Sequence, residues 1–222
     1  MEHVIRTKEL TKTFVRGPVE TRVLKGIDFA VAKGEFVSIM GRSGAGKSTL
    51  LYQISLLDDP TSGEIYIEGR EAHGLSAREK SSLRLVEFGY VFQDYALLPE
   101  LTALENTALP LLAQGFSRIR AYRDASEALS RVGLMHRAEN LPSQLSGGEQ
   151  QRAAIARAVA HKPKILFADE PTANLDNESS KAVMEIFTEF HQKGQTIIMV
   201  THEEEYARLS GRIVHIDDGR IV

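Results

Sequence analysis

Short apolar runs broken by glycine and proline dominate the start of the chain. From Val4 to Val31 they alternate in part with polar positions and break at Gly17-Pro18 and Lys33-Gly34, the pattern of β-strands joined by hairpin turns. Phe36-Val37-Ser38-Ile39-Met40 is a compact apolar run ending at a glycine, which predicts a buried strand. The segment from Lys47 to about Leu57 then reads as a helix, and Gly63-Glu64-Ile65-Tyr66-Ile67-Glu68-Gly69 alternates as a half-exposed strand does.

The period changes in the middle of the chain. Ile119, Tyr122, Ala125, Leu129 and Val132 recur at three- and four-residue steps and predict an amphipathic helix. Leu104 to Leu112 predicts another, ended or kinked near Pro110. Roughly residues 93–150 therefore read as a helical lobe inserted into a β-rich core. The last third returns to strand–helix alternation: Ile165-Leu166-Phe167-Ala168 and Thr196-Ile197-Ile198-Met199-Val200 flank a helical stretch from about Glu178 to His191. That alternation predicts an α/β fold, a parallel sheet with helices on both faces.

Composition narrows the class. The 222 residues, 42% hydrophobic and 26% charged, are those of a folded globular chain of one domain with an inserted lobe. A net charge of −3 implies no general attraction to nucleic acid or anionic lipid. The chain has no cysteine, which excludes disulfides and thiolate metal sites and fits a reducing compartment. Met1-Glu2-His3-Val4-Ile5-Arg6 lacks the apolar core of a signal peptide. No stretch approaches about 18 uninterrupted apolar residues, so work at a membrane requires another chain to supply the span.

Two glycine-based segments carry the candidate chemistry. Gly41-Arg42-Ser43-Gly44-Ala45-Gly46-Lys47-Ser48-Thr49 fits the G-x-x-x-x-G-K-[ST] phosphate loop, between a predicted buried strand and a predicted helix. Its glycines let backbone N–H groups and a helix N-terminus face phosphate oxygens. Lys47 supplies a mobile positive charge, and Ser48 a hydroxyl for Mg²⁺. The second segment, Ser146-Gly147-Gly148, precedes a predicted helix from about Glu149 to Ala160. It aims another helix N-terminus at an anion, but Ser146 and Glu149 equally fit a capping box. Geometry alone leaves those two readings even.

Four further residues lie at or just past the ends of predicted strands, where α/β sheets bind ligands. Asp169 is placed to hold Mg²⁺ and Glu170 to polarise the water that attacks a terminal phosphate. His202 follows Thr201 past the Thr196–Val200 strand, placed for a γ-phosphate contact, and Gln93 follows Tyr90-Val91-Phe92, where its amide can reach both Mg²⁺ and the attacking water. No Asn-Lys-x-Asp segment for guanine is present, which disfavours a GTPase.

Leu145-Ser146-Gly147-Gly148-Glu149-Gln150-Gln151-Arg152 resembles the signature motif of ATP-binding cassette (ABC) ATPases. The other family motifs follow in the family's order: Walker A at 41–49, the Q-loop at Gln93, Walker B at Ile165–Glu170, the D-loop at Ala173-Asn174-Leu175-Asp176 and the H-loop at His202. The resemblance implies a RecA-like P-loop core of residues 1–92 and 160–222 with an N-terminal antiparallel β part, and a helical signature subdomain of 93–159. It implies Mg²⁺ and ATP as cofactors. Ser43, Gly44, Ala45 and Thr49 join the phosphate contacts, and Asp176 adds a nucleotide contact. Ser48, Gln93 and Asp169 would hold the metal, and Glu170, Gln93 and His202 would form the catalytic set. Two subunits would pack head to tail as a homodimer, each ATP between the Walker A loop of one and Ser146–Gly148 of the other. Phe14 stands where the family stacks an aromatic ring on adenine, with a buried core role as the competing reading.

A narrower likeness lies in Glu35-Phe36-Val37-Ser38-Ile39-Met40-Gly41 and in Leu97-Leu98-Pro99-Glu100-Leu101-Thr102-Ala103-Leu104-Glu105-Asn106. Both are similar to the ATPases of lipoprotein-release, macrolide-export and FtsE-type division systems. That subgroup implies an integral membrane permease subunit with four spans and a large extracytoplasmic domain, a mechanical stroke rather than a pore, no nucleic acid, and residence at the cytoplasmic face of the inner membrane. The stretch from Tyr95 to Leu101 would receive a coupling helix or pack within the helical lobe. An FtsE-like regulatory ATPase without a transported substrate is the alternative, and a soluble ABC ATPase a more remote one.

Overall fold

The computed structural model describes residues 3–222, which form two compact units, 3–82 with 194–222 and 83–193. The helical lobe expected over 93–159 lies wholly within the second.

The first unit begins with two long strands, β1 (His3–Arg16) and β2 (Val19–Ala32), paired antiparallel across Gly17-Pro18. Gly17 takes φ +59 there, a left-handed turn position open to glycine. β3 (Phe36–Met40) has all five residues buried, as a continuous apolar run requires, and leads to α1 (Lys47–Ile54). β4 (Ser62–Ile67) pairs with β1, and the two-residue β5 (Arg70–Glu71) closes that antiparallel sheet. α2 (Ala77–Glu87) carries the chain into the second unit. The chain returns to the first unit as β8 (Thr196–Val200), the short α7 (Glu204–Ala207), β9 (Arg212–Asp217) and β10 (Arg220–Ile221). β3 is flanked by β8 and β9, both parallel to it, and β10 turns back antiparallel on β9.

The second unit holds β6 (Phe88–Val91) and β7 (Ile165–Asp169), parallel, with Val91 opposite Ala168. Its helices are α3 (Ala103–Ala113), α4 (Arg118–Arg131), α5 (Gly147–Val159) and α6 (Asn177–Gln192). Thr102 and Glu105 form a capping box at the start of α3. The helix does not end at Pro110 but runs three residues past it. A proline removes one N–H, and the buried face of Thr107, Ala108 and Leu111 holds the remaining turns in place. The face of α4 is the expected one at Ala125, Leu129 and Val132, which are buried, but not at its first turn. Ile119 is 87% exposed, and the buried stripe is Ala121, Ala125, Ala128 and Leu129. Small side chains let α4 approach its neighbours closely, so a large apolar residue at its first turn stays outside. α6 buries Val183, Met184, Ile186, Phe187 and Phe190, each large side chain contributing about 1.5–3 kcal/mol when fully buried.

His161, just beyond α5, donates from Nε2 to the carbonyl of Phe88 at 2.9 Å, while its Nδ1 meets no partner among the described residues. Burial pushes its pKa below the ordinary histidine value, the Phe88 contact only partly opposing this. The unfolded chain therefore binds the proton more readily, so this contribution to stability is complete above about pH 6.5 and is lost as pH falls below it. A histidine NMR titration should place the His161 midpoint below that of a model peptide. The urea midpoint should fall less steeply from pH 7 to pH 5.5 in His161→Gln than in the wild type; equal slopes would contradict the buried, neutral assignment.

Candidate nucleotide site

In the first unit the phosphate loop leaves the carboxyl end of β3. Gly41 passes so close to β9 that a Cβ there would lie 2.1 Å from the Ile216 carbonyl oxygen, so only glycine fits. Gly46 is the N-cap of α1, at φ +104 and with no side chain to close the first turn. No acidic residue stands in that turn either. No side chain caps the positive end of the α1 dipole, which thus faces an external anion. Lys47 is 7% exposed, and its Nζ donates to the carbonyls of Gly41 at 2.9 Å and Arg42 at 3.1 Å. Neutral carbonyls hold the ammonium without cancelling its charge, and a phosphate oxygen can replace them as a stronger, charged acceptor. Ser43 and Gly44 are exposed, and Ser48 and Thr49 are half-buried on the first turn of α1. These residues fit the polyphosphate of a nucleotide.

Two more expected positions lie in this unit. His202 is exposed two residues beyond β8, which pairs with β3 so that Val200 stands opposite Ile39. His202 and Gly41 therefore leave neighbouring parallel strands at the same edge. Phe14 is 42% exposed with the Lys12 ammonium 5.0 Å from its ring centre, so the buried core reading does not hold. Its strand partner is Thr21 on β2, and farther along β2 the Val23 carbonyl and Leu24 side chain wall the space at Gly46. The ring thus belongs to a hairpin that borders the phosphate loop.

The second unit collects the remaining positions. Asp169 ends β7 and is buried, and Glu170 follows at φ +47. A side chain held in the left-handed region costs about 1–2 kcal/mol, the kind of strain that concentrates at functional sites. The turn is held by the Ala173 N–H donating to the Glu170 carbonyl at 3.2 Å. Gln93 is exposed two residues beyond β6, and its carbonyl accepts from Asn174 Nδ2 at 3.2 Å.

The N-terminus of α5 shows the capping box in full. Ser146 Oγ accepts from the Glu149 N–H at 3.3 Å, and the Ser146 N–H donates to Glu149 Oε2 at 2.8 Å. That backbone donor, with the Ser146 side chain and Arg137 behind it, holds the Glu149 carboxyl below its usual range. Asp176 is likewise the cap of α6, accepting from the Ser179 N–H at 2.9 Å and the Ser179 hydroxyl at 2.8 Å, and the backbone donor leads in lowering its pKa. A Cβ on Gly148 would lie 2.6 Å from Ser179 Oγ, so this glycine brings the starts of α5 and α6 together. Sequence patterns did not signal Arg157 of α5, which is largely buried with a pKa lowered to about 10 by desolvation, and which bonds to the carbonyls of Tyr95 and Ala96.

Known proteins share this arrangement. The family model described as ABC transporter matches residues 24–173. The lipoprotein-releasing system ATP-binding protein LolD of Aquifex aeolicus is 48% identical over 222 residues, covering 100% of this chain and 97% of that protein. The macrolide export ATP-binding/permease protein MacB of Mannheimia succiniciproducens is 46% identical over 99% of this chain, which corresponds to 34% of that longer protein. Among solved structures, the post-hydrolysis dimer of the ATP-binding cassette MJ0796 bound to ADP and Pi superposes with a TM-score of 0.91, at 40% identity over 98% of this chain and 96% of that one. With phosphate loop, signature segment and strand-end carboxylates in the family's order, the chain belongs to the ABC transporter family, as one of its ATP-hydrolysing subunits.

Proposed function

We propose that this ATPase works as the motor of a lipoprotein-release or export complex, dimerising around two ATP molecules to drive a membrane partner. The observation that carries it is the uncapped start of α1 with the Lys47 ammonium folded over it, a cradle for a polyphosphate. The dimeric cassette at 40% identity supports pairing of two copies, and the relatives' names support a lipoprotein-release or macrolide-export task. Among the described residues no helix is long and apolar enough to cross a membrane, in keeping with a partner that supplies the spans. We assign that partner four spans and a large extracytoplasmic domain, and this chain to the cytoplasmic face of the inner membrane.

The residue roles follow from chemistry. Hydrolysis transfers a phosphoryl group to water, so the protein contributes positioning and charge rather than covalent chemistry. Gly41, Ser43, Gly44, Ala45, Gly46 and Thr49 would present backbone N–H groups and hydroxyls to the phosphates, and Lys47 its charge. Ser48, Gln93 and Asp169 offer hydroxyl, amide and carboxylate oxygens, the hard donors that Mg²⁺ takes, and the bound ion would neutralise phosphate charge. Glu170 would accept a proton from the attacking water, with Gln93 and His202 orienting water and terminal phosphate. Ser146, Gly147, Gly148 and Asp176 would contact the nucleotide held by the second copy, and Phe14 would stack on adenine.

Glu170→Gln should lower kcat by about 10²–10⁴-fold, the range a general base supplies, while ATP affinity is unchanged. Undiminished hydrolysis by the purified variant would remove Glu170 from the catalytic set. The physiological assignment is tested by solubilising the native membrane complex and identifying what co-purifies. A four-span protein with a large extracytoplasmic domain is expected, and a multi-span permease would refute the subgroup.

A further inference from the structure

The loop after Gln93 is held in a conformation its residues do not favour. Tyr95 and Ala96 are consecutive and both left-handed, at φ +58 and φ +50, and neither is glycine. The Ala96 N–H donates to the Asp94 carbonyl at 2.5 Å, which makes Tyr95 the centre of a one-residue turn. Arg157 locks that turn from α5: one arm of its guanidinium donates to the Tyr95 carbonyl at 2.8 Å and the other to the Ala96 carbonyl. A largely buried guanidinium with carbonyl partners is a costly way to hold a loop, which argues that the loop's shape matters.

The turn determines where the tyrosine points. Tyr95 Oη donates to the Asn174 carbonyl at 3.4 Å, and the Asn174 amide returns a bond to the Gln93 carbonyl at 3.2 Å. A Cβ built on Gly147 would meet the same Tyr95 hydroxyl at 3.1 Å, then Leu175 Cδ2 at 3.6 Å and the Asn174 carbonyl at 3.8 Å. Three separate segments therefore converge on one phenol: the loop carrying Gln93, the glycine that opens α5, and the turn leading to Asp176. Burial of the ring pushes its pKa up, so the O–H remains a donor throughout the neutral range.

We propose that Tyr95 is a positioning residue that locks the Gln93 loop to the Gly147 start of α5 and to the Asn174 turn, so that these three parts of the catalytic machinery move as one body. The proposal rests on the ATPase reading above. It goes beyond that reading by naming a side chain outside the set assigned to nucleotide and metal. The tie lies within the second unit and includes no residue of the phosphate loop, so its loss should impair turnover without weakening ATP capture.

Tyr95→Phe removes the hydroxyl and keeps the ring, and two readouts decide the case. In steady-state hydrolysis by the full-length protein, kcat should fall about five- to tenfold while KM for ATP stays within about twofold, the signature of an interaction used in turnover and not in capture. In nucleotide-free protein, amide hydrogen exchange at 147–149 and 174–176 should accelerate about twofold, as the loss of one long hydrogen bond allows. Unchanged exchange at both segments overturns the tie itself, whatever the kinetics. Accelerated exchange with unchanged kcat, or with KM rising in its place, overturns the positioning role. A wild-type protein that failed to hydrolyse ATP would instead contradict the ATPase reading, and the exchange measurement would still decide the tie.

Discussion

The start of α1 is left open, and much of the first unit exists to keep it so. Helices α3, α4, α5 and α6 each begin from a side chain that satisfies their first turn: Thr102, Ser117, Ser146 and Asp176. α1 begins from Gly46, which has no side chain to offer. Its dipole and the nearby Lys47 ammonium add in sign, a concentration of positive potential that an anion relieves. The surroundings preserve that arrangement. β3 is buried along its whole length and fixes where the loop starts, Gly41 slides past the Ile216 carbonyl, and β2 walls the space at Gly46.

The helix starts in the second unit follow the opposite rule. Ser146 and Asp176 close their own helices, and the Gly148–Ser179 approach brings the two starts together. A self-satisfied N-terminus is a weaker anion trap than α1. A segment of this kind suits a second contact on a nucleotide already held elsewhere. The strain at Glu170, Tyr95 and Ala96 lies in the same unit. The first unit thus offers the open helix start, and the second offers helix starts that are already closed.

Much of this was legible in the residues. β3, β7 and β8 are unbroken apolar runs, and α5 and α6 are framed by cap residues, so element and boundary agreed to within one or two positions. α2 left no signal because none of its residues is buried, and a helix with no apolar stripe has no period to read. On α4 the expected stripe holds at Ala125, Leu129 and Val132 but fails at Ile119, which is exposed, while Ala121 and Ala128 are also buried. The motif residues stood out because phosphate chemistry demands fixed types at fixed spacings. Arg157 and the Tyr95 turn did not. Left-handed backbone at tyrosine and alanine leaves no mark in residue type, and the partners of Arg157 lie 61 and 62 positions away.

If α1 and Lys47 together form the capture site, the affinity for nucleotide must depend on that one ammonium. Isothermal titration of ATP into wild-type and Lys47→Ala protein measures this directly. The account predicts a loss of about 10- to 100-fold, the value of a charge-assisted contact to phosphate, with the fold retained by circular dichroism. An undiminished affinity in a folded variant would contradict it.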